Sequence, residues 1–330
     1  MIKESDSCAA QDKALIRAKC ARFVNPNRLD VWKAAGIDLI IGQREGYKFR
    51  DLSGAEYHDV HLNGGTFNLG HRHPEVVSAM LLATESLDVG NHHFAAQSRA
   101  DLAERLSELC PGLQYSVFAT GGSETNDIAI KASRWVTGRR KVVSLEQGYH
   151  GRTGISGAAG DDSSARYFNS DDPQNFIKVP FDDAEALARA LADEDVACVI
   201  LEPIPATCGF PIPSEGYFQA VRAACDATGT MLVADEIQTG LMRTGKMWAV
   251  EGFAVQPDIL TTSKGLSGGM YPIGAAVLSA SCGRWLEQSG WAHVNTFGGS
   301  EIGCEVALKA LEIYSRPATP FGSGGNTGMS

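Results

Sequence analysis

Residues 196–240 read VACVILEPIPATCGFPIPSEGYFQAVRAACDATGTMLVADEIQTG. An apolar run, an amphipathic stretch of helical length and a second apolar run follow one another. Both apolar runs end in carboxylates, Glu202 after the first and Asp235-Glu236 after the second. Strands this short and this uniformly apolar, separated by a helix, belong to a mostly parallel sheet covered on both faces.

The pattern extends in both directions. Before it stand the strand-like YSVFAT, the helix SETNDIAIKASRWV and the strand KVVSLE; after it come PDILTTS and IGAAVLS. Two helical stretches, PEVVSAMLLATESL and QSRADLAERLSELC, precede the alternation, with apolar residues every three to four positions. Nearer the N-terminus, residues 11–22 suit a short helix, and residues 38–61 carry three short strand-like runs that read as an antiparallel meander. GCEVALKALEIY forms a last helix, and the Gly/Ser/Pro-rich tail beyond it reads as disordered. No internal repeat is visible. The expected organisation is an N-terminal small-domain segment over 1–63, a large domain over 64–315 and a tail over 316–330.

Bulk properties narrow the function. A net charge of −10 argues against a nucleic-acid binder, and 44% hydrophobic with 21% charged residues is ordinary for a globular chain. The N-terminal residues lack the apolar core of a signal peptide, and no apolar run approaches bilayer length. Eight cysteines without a C-x-x-C pair argue against a zinc site or a disulfide framework, so a cytoplasmic protein with reduced thiols is expected.

In such a sheet, functional residues gather at the carboxyl ends of strands. Three ends carry suggestive chemistry. In FATGGSETND a strand runs into Gly121-Gly122, with Ser123 at the expected helix N-cap. Free N–H groups and the helix dipole there favour a phosphate, although the same junction is also a plain way to start a helix. Asp235 ends the next strand of interest. Its neighbour Glu236 fits an exposed acidic turn, whereas Asp235, directly after Leu232-Val233-Ala234, fits a site carboxylate equally well or better. Lys264, 29 residues on, follows Ile259-Leu260-Thr261-Thr262 and precedes a glycine-rich turn. A lone lysine is most often a solvated charge. An anion cradle, a carboxylate and a lysine on strand ends together suit a cofactor with a phosphate, a ring nitrogen and an aldehyde, the three handles of pyridoxal 5'-phosphate. His150 and the pair His92-His93 have no partners at metal-like spacing and read as solvated or packed. No G-x-G-x-x-G follows the first strand of the alternating region, which disfavours a dinucleotide-binding dehydrogenase.

From Asp38 to Pro317 the sequence resembles the class III (subgroup II) pyridoxal-phosphate-dependent aminotransferases of the acetylornithine/ornithine type. The likeness rests on motifs in order: LNGGTFNLGHRHPEV (62–76), ATGGSETNDIAIKASR (119–134), EQGYHGRT (146–153), LEPIPATCG (201–209), LVADEIQTGLMRTG (232–245), DILTTSKGLSGG (258–269) and NTFGGSEIGCEVALKALEI (295–313). The resemblance implies the fold type I α/β architecture and a homodimer with shared active sites. It makes Lys264 the Schiff-base residue and places the phosphate on Gly121, Gly122 and Ser123, with Thr296 reaching it from the neighbouring subunit. Tyr149 would stack on the ring, Asp235 pair with its nitrogen and Gln238 bond near its phenolic oxygen. Arg152 would grip a substrate carboxylate, and Glu202 would contact the pocket or gate an arginine. The implied reaction is ping-pong transamination between an amino acid or ω-amino compound and a keto acid such as 2-oxoglutarate.

The resemblance ends where relatives continue into a C-terminal part of the small domain, so impaired turnover is expected. A decarboxylase or aminomutase on the same fold, or a non-catalytic homologue, are the alternatives.

Overall fold

The structure, a computed structural model, describes residues 2–91 and 93–317. His92 and the expected tail from residue 318 lie outside the described residues.

The chain divides into two compact units. The first comprises residues up to Leu62 together with Gly70–His73. It holds helices α1 (Ile2–Phe23) and α2 (Pro26–Ala34) and an antiparallel three-stranded sheet, β1 (Ile41–Glu45), β2 (Lys48–Asp51) and β3 (Glu56–His58). The helix expected over 11–22 is the second half of α1. α2 begins where Asn25 caps the Arg28 amide and Pro26, which has no N–H to leave unpaired, takes the first turn.

The second unit comprises Asn63–Leu69 and the chain from Pro74 onward. Its elements are the distorted turn α3 (Leu62–Gly65), α4 (Pro74–Ala83), α5 (Gln97–Leu109), β4 (Leu113–Ala119), α6 (Gly122–Thr137), β5 (Lys141–Leu145), α7 (Gly154–Ala159), α8 (Asp162–Tyr167), β6 (Phe176–Val179), α9 (Ala184–Leu191), β7 (Val196–Leu201), α10 (Tyr217–Thr228), β8 (Met231–Asp235), β9 (Ile259–Thr262), β10 (Gly274–Ser279), α11 (Ala280–Gly283), α12 (Trp285–Gln288) and α13 (Glu301–Tyr314).

The seven strands of this unit lie in the order β4-β10-β9-β8-β7-β5-β6. The pairs β5–β6, β5–β7, β7–β8 and β8–β9 are parallel, while β10 runs antiparallel to both β4 and β9. The sheet is therefore mostly parallel, as the alternation implies. β6 and α9 are additions that the sequence reading passes over. FIKV is too short and too mixed to stand out, and its place at the sheet edge supplies the missing order.

Alternation along the central strands explains the two covered faces. Cys198 and Ile200 of β7 and Val233 of β8 pack in one cluster with Ile128, Ala129 and Ala132 of α6. Val199, Leu201 and Leu232, which point the other way, pack with Leu187 of α9 and Val221 of α10. All six residues of β7 are buried, which is why this run is apolar throughout rather than alternating. β4, β5, β7, β8 and β9 all run in one direction, so their carboxyl ends share an edge. No described helix is long and apolar enough to cross a membrane.

Candidate active site

The site starts from the register of β8 and β9. Asp235 pairs in parallel with Thr261, so the carboxylate ending β8 and the lysine following β9 emerge at the same edge. Lys264 opens a short 3₁₀ turn with φ at +45°, a left-handed conformation rare for a residue with a Cβ. Its Nζ donates to Gln238 Oε1 at 2.9 Å. Burial draws the Lys264 ammonium below the ordinary lysine range; Arg243 adds to that effect, and Asp235 and Glu202 oppose it.

Asp235 is 3% exposed, and its carboxylate is fully engaged. Oδ2 accepts from Asn126 Nδ2 (2.7 Å) and faces His150 Nδ1 (2.8 Å), while Oδ1 accepts from the Ile237 amide (3.1 Å). Asn126 also donates to the His150 carbonyl and accepts from Thr261 Oγ1, each at 2.8 Å. Asn126 and His150 thus hold the carboxylate, and Thr261 steadies Asn126 from β9. The sequence reading names none of the three as site residues. The available signal was a polar Asn126 beside Ile128 and Ala129 on the buried stripe of α6, and a threonine inside an apolar strand. His150 is packed, as expected, against Asp235.

The loop after β5 closes another side. The Tyr149 amide donates to Glu202 Oε2 (2.9 Å), and the Tyr149 ring stays 38% exposed. Arg152 lays its guanidinium 5.0 Å from the centre of that ring, bonds Asp161 Oδ2 at 2.8 Å, and donates its amide to Ser123 Oγ at 3.2 Å. Burial raises the Glu202 carboxyl, against the pull of His150.

Two corrections are needed, the first at the start of α6. The N-cap is Gly121, in an extended conformation and without a side-chain cap, and Ser123 lies two residues inside. The two glycines carry the chain straight from β4 into the helix, so the turn closes earlier than the serine suggests. Glu124 reaches back to the Thr120 amide and hydroxyl (2.8 and 2.6 Å), and no side chain caps the first amides of α6. The second correction concerns Glu236, which is fully buried rather than exposed. It accepts from Thr239 Oγ1 (2.5 Å) and the Val250 amide (2.7 Å), because the chain after β8 folds back under the sheet edge instead of leaving it.

At two glycines of the site an added side chain would meet a neighbour. A Cβ on Gly122 would stand 2.7 Å from Ile237 Cδ1, and one on Gly151, where φ is +122°, would stand 2.1 Å from Ser123 Oγ. Around Gly121 there is open space. Thr296 sits in an exposed turn whose neighbour Asn295 donates to Glu124 Oε2 (3.2 Å). No group of side chains able to hold a metal occurs among the described residues.

The residues present fit a phosphorylated pyridine aldehyde. Uncapped amides at the N-terminus of a 16-residue helix suit a phosphate, and the bare backbone of Gly122 against Ile237 keeps that cradle open. Asp235 suits a protonated ring nitrogen, and Lys264 suits an aldehyde.

Fold and site together define an enzyme of the pyridoxal-phosphate type. The chain belongs to the aminotransferase class-III family, whose sequence profile matches residues 32–319. It is 47% identical over 305 residues to an uncharacterized aminotransferase of Archaeoglobus fulgidus, covering 92% of this chain and 72% of that one. It is 39% identical over 279 residues to the acetylornithine aminotransferase of Streptomyces clavuligerus, covering 84% and 67%. The taurine:2-oxoglutarate aminotransferase of Bifidobacterium kashiwanohense, solved with PLP and glutamate, superposes with a TM-score of 0.79 at 30% identity, covering 84% of this chain and 68% of that one. The chain thus spans 67–72% of the length of these relatives. The fold is type I, and the cofactor is pyridoxal 5'-phosphate.

Proposed function

We propose that the chain transfers an amino group from an amino acid or ω-amino compound to a keto acid, with 2-oxoglutarate as acceptor, in a ping-pong cycle centred on Lys264. The observation that carries this reading is the register that brings Asp235 and Lys264 to one edge beside the open N-terminus of α6. When bound, pyridoxal phosphate supplies an aldehyde to carry the amino group and a ring to accept electrons from the substrate carbon.

The chain's own residues do the rest. Gly121, Gly122 and Ser123 hold the phosphate. Asp235, kept in place by Asn126 and His150, holds the ring nitrogen in its protonated form. Tyr149 covers a ring face and Gln238 receives the phenolic oxygen. Lys264 Nζ, whose proton affinity burial has reduced, takes a proton from the substrate carbon and returns it. Arg152 grips a substrate carboxylate after exchanging Asp161 for it, and Glu202 borders the pocket.

Two copies associate, with Thr296 of one completing the phosphate site of the other; the exposure of Thr296 and Phe297 suits that arrangement. A reducing cytoplasm suits the buried free thiols of Cys110, Cys198, Cys225, Cys282 and Cys304.

The test is the absorbance spectrum of the protein with pyridoxal phosphate, before and after borohydride, for the parent and for Lys264→Ala. A fixed adduct in the parent alone, followed by amino transfer from ornithine, acetylornithine or a diamine to 2-oxoglutarate, is the expected result. No adduct in either protein removes the proposal. An adduct with carbon dioxide release and no acceptor requirement replaces it with decarboxylation.

A further inference from the structure

The six-residue helix α7 stands between Arg152 and Asp161 in the chain, and both of its ends are tied down. Asp127 of α6 accepts from the Ser156 amide at 2.6 Å. At the other end Lys178 of β6 donates to the carbonyls of Ala158, Ala159 and Gly160 at 2.9, 2.6 and 2.6 Å. Asp161 follows directly and caps α8, its Oδ1 accepting from the Ser164 amide (3.2 Å) and from the Ser163 hydroxyl. Its Oδ2 accepts from Arg152 Nη1 at 2.8 Å. The acid is thus held by its own surroundings, and the long arginine side chain is the partner with rotamers to spare.

The Arg152 guanidinium is only partly used. Its contact with Asp161 is a single hydrogen bond, the only one the guanidinium makes among the described residues. Its carbon lies 5.0 Å from the centre of the Tyr149 ring, inside cation–π range. A guanidinium can offer a carboxylate two parallel N–H bonds, and that fork is the stronger arrangement. Against burial, the Ser163 hydroxyl, Arg152 and the Ser164 amide hold the Asp161 carboxyl below the ordinary aspartate range, so it stays ionised. The next acid, Asp162, is bonded instead to Arg166 at 2.9 Å.

We propose that Asp161 is an internal competitor for Arg152, and that it sets the preference between amino donors with and without a carboxylate at the arginine. The inference rests on the reading of Arg152 as the residue that grips a substrate carboxylate. Such a carboxylate displaces Asp161 by taking both N–H groups of the fork, and its net binding is reduced by the strength of the resident pair. A donor lacking the carboxylate leaves the pair intact and loses nothing. Both side chains of the pair are partly exposed, so the reduction is modest, about two- to fivefold in affinity.

The experiment is calorimetric titration of the pyridoxal-phosphate-loaded protein with glutarate, which carries carboxylates but no amine to react with the cofactor. Asp161→Asn keeps an acceptor at the α8 cap and removes the charge; it is expected to tighten glutarate about two- to fivefold. Asp161→Ser, a second uncharged cap, is expected to do the same. Asp162→Asn removes a charge one residue away and is expected to leave the affinity unchanged. Arg152→Gln is expected to weaken glutarate about tenfold or more.

If Arg152→Gln weakens the probe but neither Asp161 variant tightens it, the competitor role is overturned and the carboxylate grip stands. Equal tightening by Asp162→Asn also overturns the proposal, since the effect is then general repulsion. Glutarate that binds neither the parent nor Asp161→Asn at about 10 mM, or that binds Arg152→Gln as well as the parent, overturns the grip and the competitor together.

Discussion

His150 Nδ1 and Asp235 Oδ2 lie 2.8 Å apart, and both residues are almost fully withdrawn from water. A carboxylate oxygen accepts, so His150 carries its proton on Nδ1 and acts as a donor. Together with Asn126 it fixes the carboxylate at the end of β8 in one orientation. A buried acid with three donors stays ready for a cationic partner without swinging to find one.

Replacing His150 by Phe keeps the bulk and removes that donor. Hydrogen bonds to charged groups contribute about 1.5–3 kcal/mol, so pyridoxal phosphate should bind about tenfold or more weakly. Equilibrium dialysis of His150→Phe beside the parent measures this; unchanged affinity would show that Asn126 and the Ile237 amide suffice.

The two glycines before Ser123 should respond in opposite ways to a side chain. Gly121 has open space and an extended backbone, so Gly121→Ser should fold normally and bind the phosphate at least as tightly, with one more hydroxyl in reach. Gly122→Ala forces a contact with Ile237 and should cost about 1–3 kcal/mol of stability. Thermal melts with and without pyridoxal phosphate separate the two.

Gly151→Ala meets both a backbone conformation unsuited to a Cβ and the Ser123 side chain. It should abolish cofactor capture. Adding Ser123→Ala should not rescue it, because the Ser123 Cβ would still lie 2.6 Å from the new methyl group. Recovery of the borohydride-fixed adduct in the double variant would contradict this packing.

Glu236 gives a prediction with a pH signature. Burial pushes its carboxyl up to about 7 from an ordinary 4.5, with Thr239 and Val250 only partly offsetting this. The folded state then keeps a proton that the unfolded chain has released. The parent's stability should fall as pH rises from 4.5 to about 7 and then level off. Glu236→Gln keeps the neutral form at every pH. Its advantage should grow from near zero at low pH to at most about 3 kcal/mol above neutrality, as read from denaturant melts. A difference that stays flat across this range would mean the carboxyl titrates normally.

The sequence showed the sheet because each central strand is buried on both faces and therefore continuously apolar. Asp235 and Lys264 stood out because each directly follows such a run. Asn126 and Thr261 did not, since single polar residues inside a helix stripe and a strand look like ordinary dilution until Asp235 is seen between them. Glu236 misled for the opposite reason. Its neighbours in sequence suggest a turn, and the groups that bury it, Thr239 and Val250, come from chain that folds back afterwards.

Lys264 occupies a backbone conformation that disfavours side chains, costing about 1–2 kcal/mol for any residue but glycine. The amine reaches the crevice only because the chain turns in this way. Lys264→Gly should therefore melt higher than Lys264→Ala in the absence of cofactor. The position best suited to a quiet, inert scaffold is then the one where a working enzyme must tolerate local discomfort. Screens that select for heat resistance alone will tend to discard this lysine.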